Sequence, residues 1–368
     1  MRLAWRAAGA GAEGIFCVGE AGLQAGLFAL RFFRKTPVPV LAVYAGAQGK
    51  SARLCGFDAL LFLCGEDRTA ALRHGADPYR MFPAGEAAAA LNAAARRKWA
   101  GAEPKGIVVC GSYGLGNLGD EAMLASILSE LRRTAPDRRI TVVSRNPEET
   151  RLAHCVDAVH SFALPALAAR LRRARLFISG GGSLIQDVTS VRSPKYYLGL
   201  IRVAQLLGKK TMIYAQGVGP LKDEANRGKT VKVFEKCAKI TLRDEASARL
   251  LKELGLQKAV QVTCDPVLAL SAEDVGLDIG KAILGQLGIL DSKGRKTKPL
   301  LIACPRSWKD NSHLPKIAKL LDNQAKTGCD VLLAPAHYPD DMESIAAISN
   351  MMDERVYCVG RRLAAVEL

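Results

Sequence analysis

Paired cysteines are missing from this sequence. Its ten cysteines stand singly, at 17, 55, 64, 110, 155, 237, 264, 304, 329 and 358, and no Cys-x-x-Cys occurs. Most lie inside apolar runs (Cys64 in LLFLC, Cys110 in IVVC, Cys304 in LLIAC). They read as small buried hydrophobes in a reducing compartment, which excludes a disulfide framework. Histidine is scarce too: five residues without clustered partners give no reason to expect a zinc site. No Asp-x-Asp occurs, which argues against a metal-dependent sugar-nucleotide enzyme. No Gly-Lys-Ser/Thr follows a glycine loop, so there is no Walker A site. No apolar stretch approaches the ~20 residues of a membrane helix. Glu13 and Glu20 interrupt the first apolar residues, so no secretory leader is expected. Aromatic residues make up 6% and do not interleave with basic ones, which argues against a nucleic-acid partner.

Acidic residues are outnumbered, 36 against 52 basic, for a net charge of +16. Such a balance biases partners toward anions. The basic clusters are Arg132-Arg133, Arg138-Arg139, Arg170–Arg175 (RLRRAR) and Lys209-Lys210. An anionic membrane surface or a diphosphate-linked lipid substrate would account for them. Ordinary solvated surface is the plainer alternative. The apolar content of 49% fits an α/β protein, and the length allows two or three domains.

The pattern along the chain divides it in three. Residues 1–105 read as a small α/β domain of unassigned role. Its apolar runs Gly14–Gly19, Val38–Tyr44 and Asp58–Cys64 are expected to be buried parallel strands, with a helix over Gly85–Trp99. Ala100–Lys105 (AGAEPK) is the expected connector. Residues 106–290 alternate strand and helix cleanly, which implies a parallel, doubly wound sheet. After the polar stretch Asp291–Lys298, residues 298–368 read as a partial second domain of the same kind, ending early.

The most informative stretch is Gly-Ser-Tyr-Gly-Leu-Gly-Asn-Leu-Gly-Asp-Glu-Ala, residues 111–122. The apolar run Gly106–Cys110 feeds into it and a helical pattern follows. A strand, a glycine-rich turn and a helix begin an α/β unit that binds ligands at the strand's carboxyl end. The spacing is not GxGxxG. Asp120 and Glu121 put two carboxylates in the first helical turn, where they suit the helix dipole and oppose a phosphate. The loop is therefore expected to meet hydroxyls, as on a sugar.

Further along come FISGGGSL (Phe177–Leu184), IYAQGVGP (Ile213–Pro220), ITLRDEAS (Ile240–Ser247), TCDPVL (Thr263–Leu268) and ACPRSW (Ala303–Trp308). With the opening loop, this ordered set resembles the polysaccharide pyruvyl transferase family, of the CsaB type, over about residues 106–345. The resemblance implies a GT-B-like fold, with two Rossmann-like domains facing a cleft, the first on the acceptor side and the second on the donor side. It implies transfer of a pyruvyl group from phosphoenolpyruvate to a sugar, forming a 4,6-ketal on N-acetylmannosamine of a lipid-diphosphate-linked cell-wall precursor. It further implies no cofactor and no metal, and a cytoplasmic protein peripheral to the inner face of the membrane. A GT-B glycosyltransferase using a nucleotide sugar, and a decayed or truncated sugar-binding protein, remain alternatives.

The chemistry needs cations for the donor's carboxylate and phosphate, an acid for its methylene carbon and a base for the hydroxyls. Gly116, Asn117, Gly119, Asp120 and Glu121 are expected to line the acceptor side. Gly181, Gly182 and Ser183 form a loop of free amides, and Gln216 could hydrogen-bond a sugar. Arg243, beside Asp244, and Arg306 are the expected anion ligands. Arg243 could equally pair locally with Asp244 or Glu245, and Asp265 is either a hydroxyl partner or a helix cap. His337, followed by Asp340 and Asp341, is the acid/base candidate. The family's Arg-Leu-His motif and later lysine have no counterpart, because Arg362-Leu363-Ala364 lacks the histidine and falls early.

Overall fold

The computed structural model describes residues 15–18, 40–44, 57, 59–62, 65–73, 76, 78–83, 90, 94, 105–136, 138–188, 190–270, 277–291 and 293–363. Most of the expected helix over 85–99 and the connector before Lys105 lie outside them. The chain forms two compact units. One holds Met1–Cys110, Leu131–Ile178 and Ile201–Met212; the other holds Gly111–Glu130, Ser179–Leu200 and Ile213–Leu368.

The first sheet has four parallel strands in the order β1 (Ile15–Val18), β2 (Val40–Tyr44), β3 (Ala59–Phe62) and β4 (Met81–Pro83). Helix α1 (Gly65–Arg73) follows β3. Ala90 and Ala94 pack with Leu41, Ala59 and Leu61 in a buried cluster.

The second sheet has seven strands: β5 (Gly106–Cys110), β6 (Ile140–Ser144), β7 (Asp157–His160), β8 (Ala174–Gly180), β9 (Lys210–Gln216), β10 (Lys239–Leu242) and β11 (Gln261–Val262). Their spatial order is β11-β10-β9-β8-β5-β6-β7. The chain thus runs outward one way from β5 and the other way from β8. In such sheets ligands bind where the order reverses, in the crevice beyond the strands' carboxyl ends. The loops after β5 and β8 meet there.

Helix α2 (Leu118–Thr134) carries Asp120 and Glu121 in its first turn and Arg132 and Arg133 in its last, each complementing the helix dipole. It buries Met123, Leu124, Ile127 and Leu128, one apolar face. Helices α3 (Pro147–His154), α4 (Leu164–Arg173), α5 (Arg192–Leu206), α6 (Glu224–Phe234) and α7 (Glu245–Glu253) alternate with the remaining strands, and α8 (Leu277–Gln286) follows.

The third sheet holds β12 (Leu300–Ala303), β13 (Asp330–Leu333) and β14 (Val356–Cys358), all parallel, with α9 (Leu314–Lys326) and α10 (Met342–Met351) between them. Leu314, Ala318, Leu321, Val331, Leu333, Ile345 and Ile348 make its core. A second cluster joins Leu332, Ala334, Val359 and Leu363 to Ile289 and to Leu118 at the start of α2. The fold is α/β with parallel, doubly wound sheets.

One buried carboxylate organises the entry to α6. Asp187 accepts hydrogen bonds from the amides of Lys222 (2.8 Å) and Asp223 (2.9 Å) and from Asn226 Nδ2 (3.4 Å). Burial pushes its pKa up, but the Asp223 and Lys222 amides with Asn226 outweigh that and hold it below the ordinary carboxylate range. A lowered folded pKa contributes stability above the unfolded value near 4, and that stability is lost as pH falls through the folded pKa. Asp187→Ala, which strands these donors, is expected to cost about 2 kcal/mol at pH 7. Urea unfolding at pH 7 and pH 3 should show that gap narrowing in acid.

Candidate functional site

The site is built on the loop after β5 and the first turn of α2. Tyr113 is almost wholly enclosed, and its hydroxyl donates to the Gly180 carbonyl at 2.8 Å. That bond draws the end of β8 against the loop. Glu121 braces the loop from within, its Oε1 accepting from the Gly114 amide at 2.7 Å. Asn117 Oδ1 accepts from the Gly119 amide at 3.1 Å. Gly116 has φ +83°, and a side chain there would sit 2.9 Å from the Tyr338 carbonyl oxygen, so both conformation and space require glycine.

Asp120 stands at the centre, partly buried. Burial and the neighbouring Glu121 raise its pKa, while hydrogen bonds with Ser112 and Asn117 and the nearby His337 lower it; the result is about 6. A carboxyl at that value changes its charge near neutrality, as a general acid or base must.

The glycines after β8 pack against α2. The Gly181 amide donates to the Tyr214 carbonyl at 3.0 Å, and the Gly182 amide meets Met123 Sδ at 3.0 Å. A side chain at Gly182 would come within 3.4 Å of Asp120 Oδ1. Ser183, next in line, is exposed, and its Oγ accepts from Arg243 Nη2 at 2.7 Å. Arg243 also reaches Asp265 Oδ2 at 3.3 Å and Asp244 Oδ2 at 3.6 Å. Its guanidinium lies over Gly217, where an added Cβ would be 2.8 Å from Nε.

The pairing partners of Arg243 are therefore Asp244 and Asp265, not Glu245. Each aspartate has a second task. Asp244 caps α7 through the Ser247 amide (2.7 Å), which, ahead of its contact with Arg243, lowers its pKa. Asp265 caps a short 3-10 turn, Pro266–Ala269, through the Val267 amide (3.1 Å).

His337 follows β13 and faces the opening loop. Its Nε2 lies 3.2 Å from the Leu115 carbonyl oxygen, which can only accept, so Nε2 carries the proton there. Nδ1 then accepts from Arg306 Nη2 at 3.3 Å and has Asp340 Oδ2 at 3.4 Å. Buried Asp341 sets this loop in place: its Oδ2 takes the amides of Ala336 (3.0 Å) and His337 (2.6 Å), and its Oδ1 lies 3.6 Å from Arg306 Nε.

The structure thus gathers Gly116, Asn117, Gly119, Asp120 and Glu121 with His337 and Arg306, and joins Gly182 to Asp120. Ser183, Arg243 and Asp244 form an adjoining cluster with Gly217. Gln216, expected to bind a sugar, is fully enclosed; its Nε2 donates to Ser179 Oγ at 3.4 Å and, among the described residues, nothing donates to its Oε1. It lies beneath the loops and reaches no open surface, because its position on β9 points inward. Sequence reasoning missed Ser112, Tyr113 and Met123, which hold Asp120 and the glycines in place. Among the described residues no group of three His, Cys, Asp or Glu side chains could hold a metal ion, and no helix is long and apolar enough to cross a membrane.

A family model for polysaccharide pyruvyl transferase matches residues 117–362, about two thirds of the chain. Comparison with curated proteins gives no match. Similar solved structures include the UDP-GlcNAc 2-epimerase of Neisseria meningitidis, at 14% identity and TM-score 0.46, covering 70% of this chain and 73% of that one. Another is the Escherichia coli ADP-heptose lipopolysaccharide heptosyltransferase II, at 16% identity and TM-score 0.36, covering 71% and 72%.

Asp120 yields a prediction whose sign is fixed. The folded protein keeps this proton up to pH about 6, whereas an ordinary aspartate releases it near 3.8. Stability therefore falls as pH rises from about 4 to 6 and stays lower above. Asp120→Asn, neutral at every pH, is expected to be about 2–3 kcal/mol more stable than the parent at pH 8 and equal to it below pH 4. Denaturant unfolding across that range checks it; a destabilised variant at pH 8 would show that the carboxylate is held by partners instead of strained by burial.

Proposed function

The chain belongs to the polysaccharide pyruvyl transferase family, and on that premise we propose that it transfers a pyruvyl group from phosphoenolpyruvate to two hydroxyls of a sugar, forming a 4,6-ketal and releasing phosphate. The proposed acceptor is N-acetylmannosamine in a lipid-diphosphate-linked precursor of a secondary cell-wall polymer. In this reading the protein is cytoplasmic and works at the inner face of the membrane, where a net charge of +16 favours anionic headgroups.

The observation that carries the proposal is the Asp120 carboxyl, with its pKa near 6, set among sugar-compatible loop groups and close to His337. The reaction balances as follows. The donor's methylene carbon takes a proton and becomes a methyl group. The adjacent carbon forms bonds to two sugar oxygens in turn and loses its bond to the phosphate oxygen. The two hydroxyl protons end on the methyl group and on the departing phosphate.

Asp120, ionised above pH 6, accepts the proton of an attacking hydroxyl. Asn117 orients the sugar beside it. Arg306 supplies a fork for the donor's carboxylate or phosphate. When Arg306 turns from His337 to that anion, Nδ1 of His337 is free to take a proton facing Asp340. His337 then serves as the acid for the methylene carbon. Arg243, with Ser183 and the amides of the glycine loop, holds the second anionic group.

The test is mass spectrometry of a lipid-disaccharide analogue incubated with the protein and phosphoenolpyruvate, alongside a phosphate-release assay. A pyruvyl ketal with equimolar phosphate is expected. Transfer of a hexose from a nucleotide sugar, with no ketal, would replace the proposal with the glycosyltransferase reading. Asp120→Asn is expected to lower kcat by about 10²–10⁴-fold, the usual worth of a general base. Arg306→Gln should raise the KM for phosphoenolpyruvate by about tenfold or more, while the KM for the acceptor stays within twofold.

A further inference from the structure

A basic cavity lies in the unit that holds the four-stranded sheet, built from residues the proposed reaction does not use. Helix α4 ends in Arg170, Arg172 and Arg173 and runs directly into β8 at Ala174. Beside that junction begin β5, preceded by Lys105, and β6, preceded by Arg139. These five cations and Thr141 share a cavity of about 320 Å³, and among the described residues no acidic side chain lines it.

The charges are unevenly compensated. Arg170 Nε lies 2.9 Å from Asp157 Oδ2, which also accepts from Thr141 Oγ1 at 3.2 Å. Among the described residues none supplies an ion pair or hydrogen bond to the side chains of Lys105, Arg172 or Arg173. A helix's last turn favours cations, which accounts for the three arginines of α4. It does not account for Lys105 and Arg139, which come from the starts of two strands and meet those arginines at one concavity. Convergent like charges repel unless an anion answers them. Arginine forks match the paired oxygens of a phosphate, a geometry that a spherical chloride does not offer.

We propose that this cavity is a binding site for a small soluble anion carrying one or two phosphate groups. Its volume falls at the low end of small-molecule sites, which span about 300–1,000 Å³. That suits a pyrophosphate or a compact phosphate ester, not a polymer. Its concavity, with cations converging from three elements, favours an enclosed ligand over a flat anionic surface. The proposal stands independently of the transferase reading, since no lining residue belongs to that site.

Because Arg243 and Arg306 can also attract phosphate, the test removes one competing anion site first. Pyrophosphate is titrated calorimetrically into the full chain carrying Arg243→Gln, then into the same chain with Arg172→Gln and Arg173→Gln added. A binding step is expected in the first, weakened about tenfold or more in the second, with the melting temperature unchanged. Lys105→Ala, on a different element, should weaken the same step. Binding that is absent from the Arg243→Gln chain, or indifferent to Arg172, Arg173 and Lys105, overturns the proposal. Sedimentation with phosphatidylglycerol vesicles supplies the other arm. If the arginine substitutions release the protein from vesicles while pyrophosphate does not bind, the cations serve a membrane surface and the soluble-anion site is wrong.

Discussion

The hydrogen bond from the Tyr113 hydroxyl to the Gly180 carbonyl is the contact on which the site's geometry rests. It joins the ends of β5 and β8 at the point where the sheet's order reverses. The phenol is buried, so its hydroxyl must be paired, and a buried donor left unpaired costs about 1–3 kcal/mol. Gly111 makes room for the ring: a side chain there would sit 2.3 Å from it. Once the two strand ends are tied, Met123 reaches the Gly182 amide and the glycine loop comes up against Asp120. Tyr113 thus acts on the candidate chemistry through two intermediaries, without touching it.

The ionic groups of the site are held in two different states. Arg243 and Arg306 are already engaged, the first by Asp244, Asp265 and Ser183, the second by Asp341 and His337. Such arginines are oriented in advance, and an anion arriving there would have to displace or share their carboxylates. Prior pairing reduces the entropy lost on binding and also reduces the net gain. Asp120 is the opposite case: burial and the neighbouring Glu121 outweigh its hydrogen bonds and the nearby His337, and keep its charge unfavourable. The same carboxyl that costs stability at neutral pH is the one to which the proposed reaction assigns the proton, and that would be an exchange of stability for function.

Much of this was legible in the residues. The strand, glycine turn and helix around 106–134 follow from an apolar run meeting glycines and then a helical period, and the recurring strands imposed parallel sheets. Asp265 as a cap and the Arg243 pairing were readable as alternatives, and the structure realises both. What the residues hid depends on tertiary neighbours. Strand β7 (DAVH) lacks an apolar run because it is an edge strand, half-exposed. β4 is three residues long and ends in proline. Helix α8 (LDIGKAILGQ) carries two glycines that weaken its helical signal. Gln216 looked like a sugar ligand because its polarity is visible in sequence and its inward orientation is not. The raised pKa of Asp120 comes from burial, and no spacing rule reports burial.

The start of α2 belongs to two structures at once. Leu118 packs with Ile289, Leu332, Ala334, Val359 and Leu363, and its amide donates to the Ala336 carbonyl at 2.8 Å, while Asp120, two residues on, carries the perturbed carboxyl. An obvious place to exchange modules between family members is the polar stretch 291–298, where composition changes. A cut there would leave Leu118 facing a foreign sheet. The inheritance of the third sheet therefore includes a residue almost two hundred positions upstream, and chimeras that carry residues 117–118 together with the carboxyl-terminal strands keep the helix start, and with it the placement of the Asp120 carboxyl, intact.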